Sequence, residues 1–158
     1  INLSSSVRNR QEYEELILRF FAISEKYPKY TAFQKNVGTA LDEYIKDKNI
    51  NFTDVEKKPM LSDFNKMIDF VKDNFLFGFS KSEGKETSRM FFEALSVGTH
   101  LALQEKPKLS LKNKIDARQL LNDSGFKNAT MGKYRTHSTV TLRARIDFIK
   151  NKLFELSN

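Results

Sequence analysis

An all-α fold, a single helical-bundle domain of about six helices with a basic C-terminal loop and helix, is predicted by three observations. Apolar residues recur at three-and-four spacing along most of the chain. Breakers are scarce, with three Pro and six Gly in 158 residues. Fourteen Phe and no Trp supply bulky rings of the kind that pack helices together. A chain of this length buries roughly two thirds of its unfolded surface, so one domain over residues 1–158 is expected.

The elements follow in order. Residues 10–26 place Tyr13, Leu16, Ile17, Phe20, Phe21 and Ile23 on one face and Glu12, Glu14, Glu15 and Arg19 on the other, the pattern of an amphipathic helix. Glu15 and Arg19 stand one turn apart in the favourable order. Tyr27-Pro28 ends the helix, because a residue before proline is pushed out of the α region. A second helix is expected from Ala32 to Lys48 on Phe33, Val37, Ala40, Leu41, Tyr44 and Ile45, with Gly38 a weak or closely packed point inside it. Two start signals precede the third helix: Thr53-Asp-Val-Glu56 has the form of a capping box, and Pro59 suits a first turn beginning near Lys58. Its stripe, Met60, Phe64, Met67, Ile68, Val71 and Phe75, runs to about Phe77.

Gly78 and the polar run to Glu86 are a loop, after which Thr87 or Ser88 can cap a fourth helix ending near Glu105, before Pro107. The small residues Ser96 and Gly98 on that helix predict close contact with a neighbour. A short helix over Lys114–Asp123 is expected to stop at Ser124-Gly125, with glycine in the left-handed cap. Phe126–Ser138 is polar and aperiodic, hence a loop. The chain closes on a helix from Thr139 to Leu156 whose Leu142, Ile146, Ile149, Leu153 and Leu156 form the cleanest stripe in the sequence.

Composition excludes several classes of chemistry. With no Cys there is no disulfide, thiolate metal site or cysteine nucleophile, which favours a reducing, cytoplasmic setting. No run approaches the roughly 20 apolar residues of a membrane span. The start, Ile1-Asn-Leu-Ser-Ser-Ser6, has neither an initiator Met nor a signal-peptide pattern and reads as a piece cut from something longer. His100 and His137 belong to no metal-ligand spacing, and the glycine-containing stretches match no phosphate-binding fingerprint, so no metal or cofactor is assigned. The Glu12, Glu14, Glu15 cluster is a solvated helix face, and Ser4-Ser-Ser6 has no base to pair with.

Charge supplies the functional signal. Residues 106–158 hold twelve Lys and Arg against four acids, a net of +8, whereas residues 1–105 hold fifteen basic and sixteen acidic residues, a net of −1. Such asymmetry points to a polyanion. Lys127, Lys133 and Arg135 are interleaved with Asn, Thr, Tyr and Ser donors, and Ser138 or Thr139 opens a helix whose free N–H groups favour an anion. Arg143, Arg145 and Lys150 continue the positive charge along it. The candidate nucleic-acid contacts are therefore Lys127, Lys133, Arg135, Ser138, Arg143, Arg145 and Lys150. Charge alone leaves open an acidic protein surface as the partner.

The stretch Val7–Ala22 with its core Glu15-Leu-Ile-Leu-Arg-Phe-Phe21, the Leu41-Asp-Glu-Tyr44 helix and Phe91-Phe-Glu-Ala-Leu-Ser-Val97 together resemble the helical part of GmrSD-type proteins, with a weaker echo over Val140–Ile146. These large bacterial proteins carry a ParB/sulfiredoxin-like N-terminal domain with an Asp-Gly-Gln-Gln-Arg motif, and some add a His-Asn-His nuclease domain. Neither motif occurs here, so no catalytic residue carries over. The resemblance covers residues 7–103 and implies a family-like helical core over 7–105, with a basic extension over 106–158 packed on it. It implies a non-catalytic domain of a modification-dependent restriction or phage-defence protein, contributing DNA binding or positioning beside the parent's N-terminal catalytic domain. The alternatives are a docking or homo-oligomerisation module, using the Leu142/Ile146/Ile149/Leu153 seam, and an RNA-binding helical protein.

Overall fold

A computed structural model describes residues 1, 10–30, 33, 37–130 and 139–158, with the side chains of 10 and 11 left aside. The described residues form seven helices and no strand: α1 (Arg10–Lys26), α2 (Val37–Asn51), α3 (Asp54–Asn74), α4 (Arg89–Glu105), α5 (Ala117–Asn122), α6 (Ser124–Thr130) and α7 (Thr139–Glu155). None of these helices is long and apolar enough to cross a membrane.

Helix α4 is the axis of the bundle. Every residue from Phe91 to Ala102 is buried, which requires neighbours on all sides, and α7, α1 and α3 supply them. The small residues decide how near α7 comes: a Cβ on Gly98 would lie 2.8 Å from the Ile149 Cβ, so any larger residue must push the two helices apart. On α7, Leu142, Ile146, Ile149 and Leu153 are all 4 % exposed or less. At ~1.5–3 kcal/mol per buried aliphatic side chain, this stripe is a main source of stability. It is therefore occupied within the chain, and the expectation that it serves as an oligomerisation seam is corrected. Leu156 lies just past the end of α7 and is 37 % exposed.

Other boundaries moved for local reasons. Helix α2 is described from Val37, the expected start at Ala32 lying outside the described residues, and it runs to Asn51, past the expected end at Lys48. At α3 the capping box wins over Pro59: Thr53 accepts from the Glu56 N–H, and Glu56 accepts from the Thr53 N–H at 3.0 Å. Pro59 is carried inside the helix, where its missing N–H would otherwise serve the carbonyl of Val55, an 83 % exposed residue within reach of water. Helix α3 stops at Asn74, three residues early, because Phe75 turns extended and pairs with Ile115 through Leu76 N–H to Ile115 O (3.0 Å) and Ile115 N–H to Asn74 O (2.8 Å).

The seventh helix is the other correction. Gly125 is not a left-handed cap; it lies in the first turn of α6, where its N–H donates to Asp123 Oδ1 at 2.8 Å. Glycine is needed there for space, since a Cβ would meet the Phe148 ring at 2.8 Å. Phe126 is buried and packs edge-on against the same ring.

Candidate nucleic-acid interface

Of the seven residues expected to contact nucleic acid, four are described, and one of these, Arg145, is buried away from any surface. Lys133, Arg135 and Ser138 lie outside the described residues. Lys127 is exposed on α6 and meets no carboxylate among the described residues. Arg143 is half exposed and pairs with Asp147 one turn on, at 3.4 Å. Lys150 reaches Glu105 on α4 at 2.7 Å, and this hydrogen bond first of all holds its ammonium above the ordinary lysine value.

Arg145 belongs to the core rather than to any phosphate surface. Its side chain is 2 % exposed and its guanidinium stands 3.8 Å from the Glu93 carboxylate. Burial pushes that guanidinium below its ordinary value while Glu93 opposes the shift. Glu93 also receives Arg19 of α1 at 2.5 Å, and Arg19 in turn holds Glu15 at 2.7 Å. Two guanidiniums from α1 and α7 thus converge on one α4 carboxylate. Leaving any one of these charges buried without a partner is costly.

The accessible charge lies elsewhere, on a strap of chain between α4 and α5. Residues 106–114 read Lys-Pro-Lys-Leu-Ser-Leu-Lys-Asn-Lys, four lysines without an acid. All four are exposed. Lys106 covers the Phe154 ring at 4.7 Å, and Lys108, Lys112 and Lys114 stand within ion-pair distance of no carboxylate among the described residues. The strap is irregular but held. The Leu109 N–H donates to Lys106 O at 2.9 Å, Leu111 bridges to Ser157, and the Asn158 N–H donates to Ser110 O at 3.1 Å. Ile115, buried at 4 % exposure, anchors its far end beside Phe75. Between strap and C-terminal residues lies an open groove of about 460 Å³, edged by Lys106, Lys108, Ser110, Ser157 and Asn158.

This arrangement can offer ammonium donors, with the Ser110 hydroxyl beside them, to a polyanion without first breaking an internal ion pair. The strap lysines contribute to the +8 balance of the C-terminal third, but helical periodicity says nothing about an irregular segment, so none of the seven expected contacts falls there. The readable signal is local: nine residues, four Lys and no acid. No protein-family model, no curated protein and no solved structure matches the chain.

Proposed function

We propose that the chain is a non-catalytic helical domain of a larger cytoplasmic, DNA-targeting protein of the restriction or phage-defence kind, and that it contributes sequence-independent contacts to the DNA backbone. The observation that carries the reading is the strap: Lys108, Lys112 and Lys114 are exposed and have no carboxylate within ion-pair distance among the described residues. Cations of that kind release condensed counterions when they meet phosphates, the main source of non-specific DNA affinity. Lys127 and the half-exposed Arg143 extend the set. The likeness of residues 7–103 to GmrSD-type helical regions suggests the parent protein, in which this domain would hold DNA for a catalytic domain elsewhere.

Fluorescence anisotropy of a labelled DNA duplex tests the reading. Binding at ~50 mM salt that weakens steeply towards 200 mM is expected, and absence of binding at the lower salt removes DNA as the ligand.

A second reading, a protein-docking module, is favoured by one observation. An open hollow of about 340 Å³ between α1, α2 and α3 is lined by Phe21, Phe52, Met60 and Leu61, of which Phe52 is 43 % and Leu61 47 % exposed. Apolar hollows of this kind are common at protein contacts.

A further inference from the structure

One face of helix α3 presents charge opposite to that of the strap lysines. A cavity of about 560 Å³ runs between α3, the C-terminal half of α4 and the edge of the strap at Pro107 and Leu109. Asp63, Asp69 and Asp73 line it, with Lys66 the one basic residue along its wall. Lys66 leans to Asp63 at 3.7 Å, and neither Asp69 nor Asp73 has a cation within ion-pair distance among the described residues. Phe70 and Leu103 give it apolar walls.

A second feature points into the same place. His100 is 9 % exposed, lines this cavity, and also lines a smaller one of about 190 Å³ against α1, with Asp63 and Gln104 common to both. Its ring packs edge-on against Phe20 at 5.4 Å, and no hydrogen-bond partner for its nitrogens exists among the described residues. Neither imidazole nitrogen is among the buried atoms left without a partner, so the ring, though nine-tenths buried, keeps its hydrogen-bonding edge open to the cavity space, where a ligand can reach it. Burial lowers the imidazole from its ordinary value against the opposing pull of Asp63, which favours the neutral ring. A neutral imidazole offers one acceptor nitrogen, suited to an N–H donor.

We propose that this cavity binds a linear aliphatic polyamine, with one ammonium group donating to the His100 imidazole beside Asp63 and further ammonium groups on Asp69 and Asp73. Asp69 and Asp73 are one helical turn apart, about 6 Å along α3, a rise that a short aliphatic spacer between two amines spans. The spacer lies on Phe70 and Leu103, so both ends of the ligand's chemistry are met. No three His, Asp or Glu side chains among the described residues are placed to hold a metal ion, which distinguishes this cavity from a divalent-cation site. The proposal is independent of the DNA reading, since it uses none of the strap lysines.

Calorimetric titration of the 158-residue chain with spermidine, at low salt and without nucleic acid, tests it. One saturable site is expected, with a shift of the His100 imidazole resonances on binding. Asp69→Asn/Asp73→Asn should weaken binding roughly three- to tenfold, as expected of two largely exposed charge contacts, with the urea midpoint unchanged. Absence of saturable binding overturns the proposal. So does unaltered affinity in the double variant, or an equal His100 shift with magnesium chloride at matched ionic strength. A tetralysine peptide that binds more tightly than spermidine, with the same His100 shift, replaces the polyamine with a basic peptide.

Discussion

The 106–114 strap and helix α7 carry four cations each, yet the two sets are used in opposite ways. On α7 each has a carboxylate: Arg143 has Asp147, Arg145 has Glu93, Lys150 has Glu105, and Lys152 has Glu155 at 3.0 Å and Asp123 at 3.4 Å. On the strap none does among the described residues, and only Lys106 has a partner, an aromatic ring. Equal numbers of positive charges therefore give one helix tied to its neighbours and one segment open to a polyanion. Net charge over a stretch of sequence does not separate these outcomes; pairing does. A helix that must pack on α4 brings its cations next to carboxylates of α4, of the α5–α6 junction and of its own next turn, whereas an irregular strap at the surface meets water.

The sharpest way to break the α7 side of the contrast is at Glu93. Replacing it with Gln leaves the Arg19 and Arg145 guanidiniums, 12 % and 2 % exposed as side chains, without their shared carboxylate. Loss of one member of a buried ion pair costs about 3–5 kcal/mol, and a fall of that size in urea-unfolding stability is expected. A change below ~1 kcal/mol, the value of an exposed pair, would mean that water already shields the cluster. The strap should respond in the reverse manner. Lys108→Ala/Lys112→Ala/Lys114→Ala should alter stability by under about 0.5 kcal/mol, as surface substitutions do. The same variant should weaken duplex binding roughly tenfold or more, ~1.4 kcal/mol. It should also flatten the slope of log affinity against log salt by up to about 0.9 for each phosphate that is no longer neutralised. An unchanged salt slope would move the DNA-binding surface away from the strap.

How much of this was legible in sequence differs residue by residue. The helices α1, α4 and α7 were readable because a 3.6-residue period needs only local information. Arg145 could have been placed correctly by the same arithmetic: it stands three after Leu142 and four before Ile149, on the buried face, while Arg143 falls off that face. Treating it as surface charge gave composition precedence over spacing. Its partner Glu93 was not legible, because a contact between residues 93 and 145 is made by tertiary packing alone. Helix α6 was missed for a similar reason. Seven residues have little helical tendency of their own, and what holds them is the Asp123 cap together with Phe126 against Phe148, a contact with α7. The strap has no period, so only its run of lysines without acids could have marked it. His100 in its cavity had no sequence signature, since its surroundings come from α1, α3 and α4 at once.

The smallest effect tests whether paired cations on α7 contribute to binding at all. Asp147 is held twice, by Arg143 at 3.4 Å and by the Tyr27 hydroxyl, which donates to it at 2.6 Å from just past the end of α1. The Tyr27 hydroxyl is kept protonated, first by burial and then by this hydrogen bond, both of which raise it from its ordinary value. Arg143→Ala therefore leaves Asp147 with a partner, and an exposed i,i+4 pair contributes only about 0.3–0.5 kcal/mol, so stability should fall by no more than that. Asp147→Asn acts the other way on charge. It keeps an acceptor for Tyr27 but frees the Arg143 guanidinium. If pairing is what silences α7, this variant should bind duplex DNA more tightly at ~50 mM salt, by less than about threefold, with a slightly steeper salt slope. Should affinity stay level while the strap variant shows its tenfold weakening, α7 lies outside the DNA-facing region and the strap side of the domain alone meets the duplex.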